Sequence, residues 1–276
     1  MALIAFLLGQ TSRIRIFPDV VNLPLRPPVI LAKESATLDQ LSGGRFELGV
    51  GRGISPYELA YSGVDFLAAQ EIYEESLEII LAGLRGGRLT HHGRHYTYRG
   101  VPMELAPVQR PHPPLWQGVV RLDGAADAAR RGVNIVSTLG NTALKPLVER
   151  YFESWKAAAG APAPLVGAQR TVFVADTDAE ALKLARPAYQ RWYESLTHLW
   201  RQFNTVPIRF AETLDRAIEL DTAVVGSPAT VRAEVERHLA VSGCNYFVGR
   251  FVYGNVPFDA ARRSLELFAH EVIPRV

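Results

Sequence analysis

The sequence predicts an α/β fold, a (β/α) barrel of the TIM type carrying a hairpin insertion, and three observations lead there. Strand-like and helix-like segments alternate along the chain, which means parallel strands joined by helical crossovers. The length of 276 residues suits one large barrel domain. Between Arg88 and Pro114 the alternation gives way to Thr90-His91-His92-Gly93-Arg94-His95-Tyr96-Thr97-Tyr98 and then proline-rich polar sequence, read as a hairpin and an extended insertion. No internal repeat or low-complexity linker divides the chain, so one domain over residues 1–276 is predicted, with 88–114 inserted in it.

The elements follow in order. Ala2–Leu8 is an apolar, helix-like run with no capping residue ahead of it, and Ile14–Val21 reads as a strand. Val29–Leu41 is helical and stops at Ser42-Gly43-Gly44, where adjacent glycines supply a left-handed cap. Phe46, Leu48 and Val50 alternate as a strand does. In Ala68–Leu84, Ile72, Leu77, Ile80 and Leu84 form an apolar helical stripe. Strands are then predicted at Leu115–Val119, Asn134–Ser137, Thr171–Ala175 and Tyr246–Val252, and helices at Gly124–Arg131, Leu144–Ala159 and Ala179–Phe203. Ser227 caps a helix that has Pro228 at its first position and Gly243 at its end. A last helix carries Phe258, Ala261, Leu265, Phe268 and Val272 at spacings of three and four. Six strands are found where a closed barrel has eight strand–helix units.

Composition narrows the function classes. A hydrophobic content of 48% supports a sizeable core, and 21% charged residues argue against disorder. The net charge of only +2, from 30 basic and 28 acidic residues, excludes a nucleic-acid or membrane-surface role, so any anion site is local. Cys244 is the only cysteine, which excludes an internal disulfide and a thiolate metal cluster and suits a cytoplasmic protein. The apolar start lacks both a positive leader and a small-residue cleavage site, against a signal peptide. No run approaches the ~20 apolar residues needed to span a bilayer.

In barrels of this kind ligands bind at the carboxyl ends of the strands. That rule selects Asn22, then Arg52-Gly53-Ile54, then Arg121, then Ser137-Thr138. Gly49, Gly51 and Gly53 are read as leaving backbone amides uncovered beside Arg52, whose forked donors suit a phosphate oxygen. A tight solvated bend is the competing reading, and the spacing is not the GxGxxG of a dinucleotide fold. Arg121 precedes the Gly124–Arg131 helix, whose free amides favour an anion; an ordinary helix-start residue is the alternative. His91, His92 and His95 read as hairpin residues, with no carboxylate at ligand spacing, and no metal site is assigned. Trp116 is either core or a flat surface at the barrel mouth, and Asn22 either a turn residue or an amide offered to a ligand.

The stretch Leu38–Gly53 (Leu-Asp-Gln-Leu-Ser-Gly-Gly-Arg-Phe-Glu-Leu-Gly-Val-Gly-Arg-Gly) resembles the bacterial luciferase-like flavin monooxygenase family. The resemblance extends through Gln109-Arg110-Pro111-His112-Pro113-Pro114-Leu115-Trp116, Ala128–Gly132 and Val225-Gly226-Ser227-Pro228, and weakens between about 140 and 220. It implies a monooxygenase that uses reduced FMN, delivered by a separate flavin reductase, and dioxygen on a small organic substrate. It gives Arg52 the FMN phosphate with help from the backbone at Ile54. Gly53, Asn22, Arg121 and Ser137 join them as candidate cofactor contacts, although the family often has serine where Arg121 stands. It implies homo-oligomerisation. The family's catalytic histidines lie in a strand–helix–strand segment preceding the part that resembles Leu3–Thr11. The resemblance therefore leaves the catalytic residues unassigned and implies a barrel incomplete at its N-terminus, by truncation or as an open barrel. A deazaflavin-dependent oxidoreductase and a non-catalytic flavin-binding subunit are the alternative readings.

Overall fold

Two compact units, Met1–Gly118 and Val119–Val276, make up the computed structural model, which describes residues 1–156, 163–205 and 210–276. Both are of the predicted α/β class, with parallel strands covered by helices.

The first unit opens with helix α1 (Ala2–Gln10), and its parallel strands are β1 (Val21–Asn22), β2 (Leu48–Gly51) and β5 (Leu115–Gly118). Val21 pairs with Val50, and Leu48 with Leu115. The strand predicted at Ile14–Val21 is mostly lost: only Val21 joins the ladder, with an isolated bridge from Ile16 to Phe46. Pro18 explains this, because it has no N–H to donate. Helix α2 (Pro28–Ser42) begins with proline and ends at Gly43 (φ +62°), whose amide donates to Gln40 O at 3.1 Å. Short α3 (Pro56–Tyr61) is capped by Ser55, and α4 (Ala69–Leu84) packs against α2. The predicted hairpin is β3 (Gly87–His92) against β4 (Thr97–Met103). Glu75 of α4 pins its tip, accepting from His95 N and Tyr96 N at 2.9 Å each and meeting His91 Nε2 at 3.0 Å. The fold thus supplies a carboxylate to these histidines that sequence spacing does not reveal.

A buried polar network holds the insertion down. The carboxylate of Asp39 is fully buried and accepts from Gln109 N at 2.9 Å and Gln109 Nε2 at 2.6 Å. Gln109 also donates to Phe46 O at 2.7 Å and accepts from Arg15 at 2.7 Å. Glu47 takes Arg15 on one side and the Trp116 indole N–H on the other. Trp116 is buried and stacks on Phe17, ring centroids 4.6 Å apart, so it belongs to the core.

In the second unit helix α5 (Leu122–Arg130) precedes β6 (Asn134–Ser137), and α6 (Asn141–Ser154) precedes the nine-residue β7 (Val166–Val174). The residues 157–159 of the helix predicted at Leu144–Ala159 lie outside the described residues. Helices α7 (Asp178–Leu196), α8 (His198–Gln202) and α9 (Leu214–Glu219) lead to β8 (Ala223–Gly226); α10 (Pro228–Ser242), β9 (Tyr246–Arg250) and α11 (Phe258–Leu267) follow. The single helix predicted over Ala179–Phe203 breaks at Thr197, whose hydroxyl donates back to Tyr193 O at 2.7 Å. The start of β7 and all of β8 and α9 escape the sequence reading, and β9 ends two residues early. Successive β7 residues face opposite ways: Phe173 packs among α7 and α9, and Val172 and Val174 among α10 and Phe268.

Strand β7 changes partners along its length. Ala168 pairs with Ser137 of β6 and Phe247 of β9, and Thr171 pairs with Arg250 of β9 and Ala223 of β8. A strand has two edges, so β6 and β8 share the edge opposite β9. That edge passes from β6, whose pairing ends at Ala168, to β8, whose pairing begins at Thr171.

Candidate functional site

Two places answer the carboxyl-end rule, one in each unit, and each is built differently.

In the first unit β2 runs into Arg52-Gly53-Ile54. The expectation that all three glycines bare their amides is corrected. A Cβ on Gly49 would stand 1.8 Å from Pro18 O, and one on Gly51 2.4 Å from a Val20 methyl. These two glycines exist because the Phe17–Val20 segment lies directly on the strand. Gly53 differs: its φ of +87° favours glycine, and the Asn22 carboxamide lies within 3.5–3.8 Å of the place a Cβ would occupy. Asn22, Gly53 and Arg52 are therefore brought together. The Arg52 guanidinium sits over the Phe66 ring, 4.9 Å from its centroid, and among the described residues it forms no ion pair and no hydrogen bond. Ile54 is half exposed beside it. A half-buried cation resting on an aromatic face with its donors unspent is suited to an oxyanion.

Arg121 and Ser137 stand in the second unit and are differently engaged. Arg121 is exposed at the start of α5, and its guanidinium takes Asp123 in a fork, 3.0 and 2.7 Å, which pulls the Asp123 carboxyl down to about 2. Its Nε and Nη2 are committed to that carboxylate. Ser137 is buried at the end of β6, and its hydroxyl accepts from Leu139 N at 3.4 Å, closing the turn.

The second unit also holds a cavity of about 310 Å³ where that edge of β7 passes from β6 to β8. It lies against Thr138 after β6, Arg170 and Thr171 on β7, Tyr189 and Trp192 on α7, and Arg250 at the end of β9. Sequence reasoning misses Arg250, which lies inside the strand predicted at Tyr246–Val252 and becomes a strand end only because β9 stops at Arg250. Arg170 is 1% exposed and gives its donors to neutral groups: Nε to His238 Nδ1 at 2.8 Å, Nη2 to Asn141 Oδ1 at 2.9 Å, Nη1 to Gln169 O at 2.8 Å. Burial pushes Arg170 down to about 10 and, with the neighbouring Arg170 and Arg237 charges, His238 down to about 4. The Arg250 guanidinium lies 3.9 Å from the Trp192 ring centroid and donates to the Thr171 hydroxyl, while its buried Nε has no partner.

No group of three or more His, Cys, Asp or Glu side chains suited to a metal ion occurs among the described residues, and no described helix is long and apolar enough to cross a membrane.

Residues 1–245 match the family described as luciferase-like monooxygenase. The chain belongs to this family. It is 36% identical over 272 residues to the uncharacterized protein y4wF of Sinorhizobium fredii, covering 97% of this chain and 79% of that relative. Among solved structures it is similar to the oxygenating constituent of 3,6-diketocamphane monooxygenase of Pseudomonas putida, a Baeyer–Villiger enzyme in complex with FMN. That likeness is 25% identity and a TM-score of 0.80 over 100% of this chain and 83% of that one. The fold is shared with the monooxygenase RslO1 of Streptomyces bottropensis, at 23% identity and TM-score 0.87 over 99% and 82% of the two chains. It is shared too with the coenzyme F420-dependent tetrahydromethanopterin reductase of Methanopyrus kandleri, at 20% identity and TM-score 0.71 over 99% and 86%. The luciferase-like chain is thus a member of an oxidoreductase family whose structural relatives include FMN-bound and F420-dependent enzymes.

Proposed function

We propose that this luciferase-like chain is a monooxygenase that takes reduced FMN, from a separate reductase, and dioxygen to a small organic substrate. The observation that carries the reading is the unspent Arg52 guanidinium beside Gly53 and the Asn22 carboxamide. The donor set fits a phosphate: a fixed cation, a backbone turn only glycine adopts readily, and a neutral amide. Arg52 holds the phosphate, the backbone of Gly53 and Ile54 approaches it closely, and Asn22 orients what lies beside it. Phe66 keeps the guanidinium in place before a ligand arrives, which lowers the cost of ordering it. Reduced FMN, when bound, supplies the electrons with which dioxygen is activated. The chain contributes positioning and exclusion of water, so no acid–base pair of its own is invoked. A cytoplasmic homo-oligomer completes the proposal.

Titration of the chain with FMN, followed by flavin fluorescence, tests it. Arg52→Ala should weaken binding by roughly 1.5–3 kcal/mol, the scale of a charge-assisted hydrogen bond. Unchanged affinity would remove Arg52 from the site. A parallel titration with F420 decides the cofactor, since tight binding of the deazaflavin alone would overturn FMN. Product formation with a reductase and a substrate panel separates an enzyme from a non-catalytic flavin-binding subunit.

A further inference from the structure

We infer that the cavity of the second unit is an organic-anion pocket. Its occupant is a small molecule with a carboxylate or sulfonate head and an apolar body, and Arg250 receives the head. Naming that occupant as the substrate rests on the monooxygenase reading above; the anion preference does not.

The argument is one of charge. Arg250 remains protonated under all ordinary conditions, and burial makes its charge costly unless a counter-charge is near. Among the described residues no Asp or Glu pairs with it, and every Asp and Glu of the chain is among them. Its contacts are the Thr171 hydroxyl and the faces of Trp192 and Tyr253, all neutral. Arg170, the second cation in the wall, likewise gives its donors to neutral atoms. Two carboxylates also line the cavity, but each is already held: Glu219 by Arg216 at 2.7 Å and Asp221 by Arg237 at 2.6 Å. The wall carries two cations and two carboxylates, and only the cations, Arg170 and Arg250, are in no ion pair among the described residues.

The remaining lining sets the shape of the ligand. Tyr189, Trp192, Phe210 and Leu139 give the cavity an apolar side, and about 310 Å³ is the lower end of the volumes that hold small organic molecules. Such a space favours a charged head on a hydrocarbon body over a bare inorganic ion.

The test uses the whole chain without flavin and reads tryptophan fluorescence, with Trp192→Phe identifying the contribution of Trp192. Hexanoate, hexanesulfonate, 1-hexanol and inorganic phosphate are titrated in turn. The two organic anions should bind at least tenfold more tightly than the alcohol or phosphate. Arg250→Gln should abolish that preference and Arg250→Lys keep part of it, while FMN affinity stays as in the unaltered chain. Equal binding of hexanol and hexanoate, or a preference that survives Arg250→Gln, would overturn the inference. Phosphate binding as tightly as hexanesulfonate would overturn the apolar body. Weaker FMN binding by Arg250→Gln, or displacement of FMN by hexanoate, would overturn it by making the cavity the flavin's own. If Arg250→Gln does not fold, the ligand ranking of the unaltered chain still decides. Loss of FMN binding by Arg52→Ala reads on the other unit, so the two proposals fail separately.

Discussion

The guanidinium of Arg250 lies over the indole of Trp192, 3.9 Å from its centroid, and joins the end of a strand to the last third of helix α7. An aromatic face is a poor substitute for a carboxylate, but it holds the cation in one place without neutralising it. Trp192→Leu should destabilise the chain more than Trp192→Phe, by about 0.5–2 kcal/mol, the range of a partly desolvated cation–π contact. Urea midpoints of the two variants check this, and equal midpoints would reduce the contact to simple packing.

The glycines of β2 make a second prediction. A methyl at Gly49 meets the Pro18 carbonyl at 1.8 Å, and neither backbone can yield without moving the other. Gly49→Ala should therefore cost roughly 3 kcal/mol or more, at the upper end of overpacking. At Gly43 (φ +62°) the space is open, and Gly43→Ala should cost only about 1–2 kcal/mol, the left-handed penalty of an L-residue. Thermal unfolding of the two variants gives the order, and a reversal would mean that the Phe17–Val20 segment is not seated on the strand.

Acid should weaken the second unit through His238. Its ring accepts from Arg170 and stays neutral down to about 4, whereas an exposed histidine takes its proton near 6.5. Between those values the unfolded chain carries the extra proton, so stability rises with pH across that window. The full effect is about 3 kcal/mol by linkage, present above pH 6.5 and lost as pH falls to 4. Denaturant midpoints measured from pH 4 to 7 should show the slope, and His238→Gln should flatten it.

Asp39 and Gln109 tie the insertion to the end of α2. Asp39→Ala strands two donors of the half-buried Gln109 and should destabilise by roughly 2 kcal/mol. Asp39→Asn keeps one acceptor and should cost less. Hydrogen exchange at the Gln109 amide reports the release directly; unchanged protection in Asp39→Ala would show that the insertion is held elsewhere.

The elements with strong local signals were legible in the sequence. Ser227-Pro228 at one end and Gly243 at the other bound α10, and its Ser227 hydroxyl accepts from Thr230 N as an N-cap does. Segments whose identity depends on burial were not. The first half of β7, Val-Gly-Ala-Gln-Arg, carries no alternation because both faces are covered, and β8 is a four-residue strand with no pattern to read. The same holds for the sites. Arg52 announces itself by its glycines, although two of those serve packing. Arg250 does not, because what sets it apart is that its partners include no carboxylate, and partners are assigned only once the chain has folded.

The partner exchange of β7 has a consequence for how this chain varies. A hollow made where one strand gives way to another belongs to the main chain, not to the side chains on its wall. Substitutions at the wall can then retune charge and shape from one descendant to the next while the opening itself is inherited with the topology.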